Sequence, residues 1–479
     1  MSSSTEFDII VDRRPMWIVI LDRMKRGLLL TGIFIIFLII LWRPAPEGLS
    51  VEAYKTICLF FLCISFWATN LIPLSITSLI AIAGIPLLGV MNASLAYSFF
   101  GNKAIFFILG VFILSAAMIG CGLSARMSIW VLDNWGKDPV HLVGGLYLFG
   151  LIGSCFMSEH AVAAMLYPII FEMIHSLDIG KESKIAKSML FGMAWGCIIG
   201  GSATVLGGGR VPLAVEMLEQ NTGTTIGLTQ YTFLSLPMVI VMGYFGWILL
   251  LKFFHPGFGT VTPARAALRK KISNMGRMTL DEKGIGLIMV ATLLCWFFFG
   301  DELGIANIAI IAIALLFVFN LINWKKVEAH VNWAIILMYG GAICLGKAME
   351  ESGAALWLAE SVFGDAVQWP GFFLMSAAIL SFVLTTFMSN SAVIAILIPP
   401  VLGLSASTGI NPAVAAMAVI LPSNFAFILP IATPASALAY SSKLIALREM
   451  IVSGCVLAAI GLSAQAFLIF IYWPLIGFR

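Results

Sequence analysis

Polar side chains are sparse inside the long apolar runs of this 479-residue chain, so the few found there carry its chemistry. Two short breaks stand out. Met157-Ser158-Glu159-His160-Ala161-Val162 and Met388-Ser389-Asn390-Ser391-Ala392-Val393 both open with Met-Ser, and each runs on to proline, at Pro168 and at Pro399-Pro400. A polar break repeated at corresponding places in two apolar halves points to a binding site at membrane depth. The copies differ: the first carries a titratable Glu-His pair where the second carries neutral Asn390 and Ser391. A further discontinuity follows each tip, Gly207-Gly208-Gly209-Arg210-Val211-Pro212 in one half and Pro430-Ile431-Ala432-Thr433-Pro434 in the other. Neither continues a regular helix at low cost.

In the second half, Thr385, Ser389, Asn390, Ser391, Ala432 and Thr433 supply neutral oxygens and an amide. Such hard oxygens suit a sodium ion, and the same groups can donate to a carboxylate or sulfate. The bland alternative is that each hydroxyl bonds its own helix backbone; clustering at paired breaks favours the site. In the first half, Glu159 and Arg210 should approach each other if hairpin and break pack as in the second, each offsetting the other's burial. Three roles stay open for this group. Arg210 can act as a fixed cation in place of an ion, Glu159 and His160 can carry a proton, or the pair can be a static salt bridge. With Arg210 nearby, a cationic substrate on Glu159 is disfavoured. Glu216, six residues beyond Arg210, either pairs with a loop or lines the path.

The elements that position these residues follow from the solvent. At 61% hydrophobic and 11% charged, with mean hydropathy +1.03, the chain cannot wrap a core in polar surface. Apolar runs of spanning length recur, and two, Val143–Ile170 and Phe372–Val401, are too long for one span and contain the tips. These read as re-entrant hairpins in an all-α polytopic membrane protein with about 11 spans. Ala104–Gly110 lines up with Ala334–Gly340 at nearly the offset that relates the tips, which marks an internal repeat. Five spans and a hairpin per copy make the crossings odd and the two repeats inverted.

The expected organisation is a basic arm and first span over 1–52, a first repeat over 53–257, a connector over 258–283, and a second repeat over 284–479. Thr279-Leu280-Asp281-Glu282 reads as a capping box at the start of the second repeat. Basic clusters at Arg13, Arg14, Arg23, Lys25 and Arg26, at Lys181, Lys184 and Lys187, from Arg265 to Lys271 plus Arg277, at Lys325-Lys326, and at Lys443 and Arg448 are expected in the cytoplasm with the N-terminus. The acidic Glu350–Trp369 segment, containing Asp365, is expected outside. The basic arm is a topology signal rather than a nucleic-acid site. The scattered cysteines carry no metal spacing, the histidines at 141, 175, 255 and 330 read as interfacial, near span ends or loops, and Trp42, Trp324 and Trp473 read as interface anchors.

The second tip and break resemble the divalent-anion/sodium symporters that carry dicarboxylates, citrate and sulfate. Their hallmark is a Ser-Asn-Thr triplet at each tip and a Thr-Pro-Pro-Asn-like break. Ser389-Asn390-Ser391 and Asn424-Phe425-Ala426-Phe427-Ile428-Leu429-Pro430-Ile431-Ala432-Thr433-Pro434 are similar, as is Trp67-Ala68-Thr69-Asn70-Leu71-Ile72-Pro73. The resemblance implies one sodium ion on Thr385, Asn390, Ala432 and the backbone near Met388. It also implies that Ser389, Asn390, Ser391, Thr433 and Pro434 face the substrate, and that the protein is a homodimer. The first half departs from the pattern. Ser154, Ser158 and Gly207 stand at the positions of a first sodium site, but Glu159, His160 and Arg210 replace its companions.

These readings combine into a secondary transporter of a small divalent anion, dicarboxylate first and sulfate second, in a bacterial inner or plasma membrane among lipid. Sodium is the expected coupling ion, with exchange or proton coupling through Glu159 and His160 as alternatives. An intramembrane enzyme and a passive channel are the remaining classes. Adjacent residues rarely converge on one atom, which weighs against the enzyme, and paired hairpins imply occlusion, which weighs against the channel.

Overall fold

Without water at membrane depth, backbone groups must be satisfied within the chain, and helices do this segment by segment. Every regular element among the described residues is helical. The computed structural model describes residues 16–46, 48–177, 183–257, 261–329, 331–363, 369–430 and 433–478. Arg13, Arg14, Lys181, His330, Asp365 and the expected ligand Ala432 lie outside the described residues.

The chain runs through α1 (Met16–Leu41), α2 (Val51–Thr69), α3 (Leu74–Leu87), α4 (Ala93–Ser98), α5 (Lys103–Gly120), α6 (Leu123–Trp135), α7 (Pro139–Phe156), α8 (Glu159–Ser176), α9 (Lys184–Gly200), α10 (Arg210–Thr222) and α11 (Leu228–Phe254). A connector helix, α12 (Thr262–Met275), leads to α13 (Leu280–Leu303), α14 (Ile305–Val318), α15 (Trp324–Glu328), α16 (Trp333–Glu351) and α17 (Ala354–Phe363). The chain closes with α18 (Pro370–Phe387), α19 (Asn390–Thr408), α20 (Pro412–Ile420), α21 (Pro434–Ser441), α22 (Leu447–Phe467) and a short turn at Trp473–Leu475. Nine helical stretches of the described chain are long and apolar enough to cross a membrane, and shorter apolar helices such as Leu74–Leu87 and Ile305–Val318 accompany them.

From α2 to α11 the succession of long and short elements matches that from α13 to α22. The packing is exchanged in the same way: α3 lies on α16 and α14 on α5, while α10 lies on α19 and α21 on α8. Each break helix therefore packs against the hairpin of the opposite half.

The hairpins form where the sequence places their tips. Asp138 caps α7 by accepting from the His141 backbone N–H at 2.9 Å, and Pro139 occupies the first turn, where its missing N–H costs nothing. Met157 and Ser158 are extended, at φ −131° and −55°, before α8 begins. Met388 and Ser389 repeat this geometry at −140° and −61°. Behind the first hairpin, α7 packs tightly on α9: a Cβ on Gly200 would lie 2.0 Å from the Leu151 carbonyl oxygen, so only glycine lets these backbones touch.

Several boundaries move. The hairpins extend over 139–176 and 370–408, beyond the apolar runs that announced them. α9 stops at the Gly200-Gly201 pair and α20 stops just before Pro422, so both breaks open ahead of Gly207-Gly208-Gly209 and Pro430. The boundary at residue 52 falls in the first turn of α2, and α13 starts at Leu280 rather than 284, where Thr279 and Glu282 make the expected capping box. The connector is mostly helix. Ion pairs Arg269–Asp133 (2.9 Å) and Lys271–Glu172 (2.6 Å) tie α12 to α6 and α8. Trp473 is no interface anchor: it is fully buried and its indole donates to the Leu234 carbonyl at 3.3 Å. Glu216 is also buried, accepting from Asn102 at 2.6 Å and Gln220 at 2.9 Å, and Lys103 pairs with Glu219 beside it.

Candidate functional site

Four helix N-termini meet at one cavity of about 380 Å³. Glu159 and His160 open α8, Arg210 opens α10, Asn390 and Ser391 open α19, and Thr433 and Pro434 open α21; all line it. The first backbone N–H groups of a helix have no partner within it, and the aligned peptide dipoles make that end positive. At α8, α10 and α19 the N-cap residue's side chain does not cap these donors. Such a convergence is suited to an anion.

Most of the expected residues stand together. Met388, Ser389, Asn390, Ser391, Thr433 and Pro434 line the cavity from the second half, and Glu159, His160 and Arg210 from the first. Ser154, Ser158, Gly207 and Thr385 are buried and are not among its lining residues. Gly207 nevertheless joins tip to break, because its carbonyl accepts from the Glu159 N–H at 2.8 Å. Among the described residues, Ser154 Oγ is buried with no hydrogen-bond partner.

Glu159 and Arg210 meet as the parallel between the halves predicts. Arg210 Nη1 stands 3.5 Å from Glu159 Oε2, with side chains 2% and 1% exposed. The guanidinium also donates through Nη2 to the Gly201 carbonyl at 2.7 Å and to Ser202 Oγ at 3.3 Å. Gly201 leaves room for this carboxylate: a Cβ there would lie 2.1 Å from Glu159 Oε2 and displace it. His160, whose side chain is 30% exposed, holds Nδ1 3.6 Å from Glu159 Oε1. Tyr339 on α16 donates its hydroxyl to the Gly209 carbonyl, fixing the break against the opposite half.

In the second half the oxygens crowd. Thr385 Oγ1 lies 2.7 Å from Asn390 Oδ1 and 2.6 Å from the Ser423 carbonyl oxygen. A hydroxyl has one proton, so it can satisfy only one of these acceptors. The surplus of lone pairs is the arrangement a hard cation takes.

The sequence left Asn424 and Ser202 without a role. Asn424 accepts from Asn390 Nδ2 at 2.8 Å and donates to Ile198 O at 2.5 Å, Ser202 Oγ at 2.9 Å and Glu159 Oε2 at 3.3 Å. Thr385, Asn390, Asn424, Glu159 and Arg210 thus form one connected chain across both halves. The available signal was a lone carboxamide inside the apolar Val414–Leu429 stretch, costly at that depth unless bonded. Asn332 was missed too; it caps α16 through Ile335 N at 3.3 Å and lines the cavity.

The family described as the sodium:sulfate symporter transmembrane region matches residues 25–478. The chain belongs to this family. This symporter-family chain is an integral, multi-pass membrane transporter rather than an enzyme. It is 24% identical over 452 residues to the sodium-dependent dicarboxylate transporter SdcS of Staphylococcus saprophyticus, covering 88% of this chain and 86% of that protein. An SdcS of Staphylococcus aureus is 25% identical over 443 residues, covering 87% and 85%. Among solved structures, the Neisseria gonorrhoeae MtrF structure matches at TM-score 0.55 and 12% identity, covering 93% of this chain and 94% of that one. The Alcanivorax borkumensis YdaH transporter matches at 0.50 and 14%, covering 78% and 85%. At these identities the two structures speak for the fold alone.

Proposed function

We propose that this protein is a secondary active transporter of a small divalent anion, a dicarboxylate before sulfate, with sodium as its coupling ion. The observation that carries this reading is the convergence of four helix N-termini and the Ser389, Ser391 and Thr433 hydroxyls on one cavity, a set of donors for two anionic ends. The relatives named for sodium-dependent dicarboxylate transport support the same substrate class. The coupling sodium binds in the second half, where Thr385 Oγ1, Asn390 Oδ1 and the Ser423 carbonyl crowd together. In the first half Arg210 supplies the positive charge that a second sodium would otherwise bring to Ser154, Ser158 and Gly207, and Glu159 neutralises it in the substrate-free site. Fewer sodium ions then accompany each anion than in a carrier with two ion sites.

The exchanged packing of the two halves supports inverted repeats, with the N-terminus and α12 in the cytoplasm and an elevator-like or rocking exchange between faces. Homodimers embedded in lipid are the expected assembly.

One observation favours a second reading. Among the described residues, Glu159 Oε1 has no hydrogen bond, and it faces His160 Nδ1 at 3.6 Å, a place for a carried proton. Uptake of a labelled four-carbon dicarboxylate into proteoliposomes separates the readings. A sodium gradient should drive accumulation, and sodium removal should weaken uptake while leaving counterflow measurable. Accumulation driven by a proton gradient without sodium would select the proton reading. Ohmic flux without accumulation would overturn both.

A further inference from the structure

The carboxamide of Asn424 can be oriented from its neighbours alone. The Ile198 carbonyl, 2.5 Å away, can only accept, so the end of Asn424 that faces it is the NH₂ group. Ionised Glu159 also only accepts, and it meets the same end at 3.3 Å. Asn424 Oδ1 therefore points the other way, at Asn390, which must present its own NH₂ group at 2.8 Å. That leaves Asn390 Oδ1 directed at Thr385 Oγ1, in the oxygen cluster with the Ser423 carbonyl. A first-half carboxylate and carbonyl thus dictate which atom of Asn390 the second-half cluster receives.

The NH₂ group of Asn424 is also oversubscribed. It has two hydrogens for three acceptors, Ile198 O, Ser202 Oγ at 2.9 Å and Glu159 Oε2. Glu159 is the most distant of the three, and Arg210 reaches the same oxygen only at 3.5 Å. The carboxylate is held by two long contacts, both of which can tighten. A cation on Asn390 Oδ1 polarises that amide, strengthens its donation to Asn424, and through Asn424 favours donation to Glu159. Arg210 then holds a weaker claim on the carboxylate and has more of its guanidinium free for an anion.

We infer that Asn424 is a positioning residue that couples the second-half cation site to the Glu159–Arg210 pair of the first half. The inference rests on the sodium-coupled reading above. Asn424 touches neither the ion nor the anion; it sets the polarity of Asn390 and conveys the ion's presence to Glu159.

The test uses the full-length protein in detergent and in proteoliposomes, with sodium chloride and a labelled four-carbon dicarboxylate as probes. Asn424→Ala frees Asn390 to turn. Its half-saturating sodium concentration should rise about tenfold, within the range of ordinary site–site coupling. The anion KM should also lose most of its dependence on sodium, because coupling between two sites is reciprocal, and the sodium-dependent rise in Tm should shrink in parallel. Combined with Glu159→Gln, the shift in sodium affinity should be clearly less than the product of the single shifts, because both substitutions break one chain. If Asn424→Ala does not fold, Asn424→Ser, which cannot bridge to both partners, is expected to give the same shift.

A sodium affinity unchanged in the folded variant overturns the inference. So does an anion KM that still falls with sodium as it does in the unsubstituted protein, or a multiplicative double variant, since a merely structural role predicts these. Uptake by the unsubstituted protein that ignores sodium overturns the sodium-coupled reading itself, and the inference with it. Sodium-stimulated uptake that survives intact in Asn424→Ala overturns only the inference.

Discussion

Arg210 and Glu159 place opposite charges 2% and 1% exposed at membrane depth, so each depends on the other more than a surface pair does. Removing one partner leaves a buried charge uncompensated. Arg210→Ala is expected to destabilise the protein by about 3–5 kcal/mol. The double variant Arg210→Ala with Glu159→Gln should recover most of that loss in thermal unfolding, because no charge is stranded. Anion affinity should remain low in the stable double variant; an affinity equal to that of the unsubstituted protein would reduce the pair to a static bridge. Asn390→Ala should abolish sodium-stimulated uptake while the protein stays folded, because it removes both Oδ1 from the oxygen cluster and the donor to Asn424. The meeting of Glu159 with Arg210 was legible because the second half supplied a pattern for how tip and break pack. Asn424 was not, because its three acceptors come from α9, the break after it and α8, far away in sequence.

Helices here begin and end for local reasons, and their consequences can be measured one at a time. Asp138 caps α7, and the His141 backbone N–H beside it holds its carboxyl below the usual carboxylate range, with burial working weakly the other way. A folded value lower than the unfolded one means that the cap's stabilisation is complete above the usual carboxylate pKa. It is lost as pH falls through the lower folded value. Asp138→Ala should therefore cost about 1 kcal/mol at neutral pH, and the difference should fade in acid as the carboxylate of the unsubstituted protein protonates. Gly200→Ala drives a methyl into the Leu151 carbonyl and should cost about 1–3 kcal/mol by thermal unfolding as α7 separates from α9. Tips and capping box were legible because polar residues, serine and proline mark them. The early ends of α9 and α20 were not, because Gly200-Gly201 and Pro422 lie within runs that resume as apolar residues up to Leu206 and Leu429. Apolar composition reports depth in the membrane, not the hydrogen-bond pattern within it.

As a whole, the molecule is two equivalent halves that complete each other, since each break helix seats on the other half's hairpin. The proposed inverted arrangement makes a directional prediction. In a background without native cysteines, a cysteine replacing Lys271 on α12 should react with an impermeant thiol reagent only from the cytoplasmic side, and one replacing Glu351 at the end of α16 only from outside. Labelling of both from one side would overturn the inverted arrangement. By itself the sequence determined a helical membrane protein, its paired tips, and the charge asymmetry between Glu159-His160 and Asn390-Ser391, because these depend on composition and local breaks. Only the tertiary structure decided that four helix N-termini share one cavity, and that Asn424 ties the neutral tip to the charged one. Those facts depend on which distant segments pack together. In an apolar chain, local hydrophobicity scarcely distinguishes one packing partner from another.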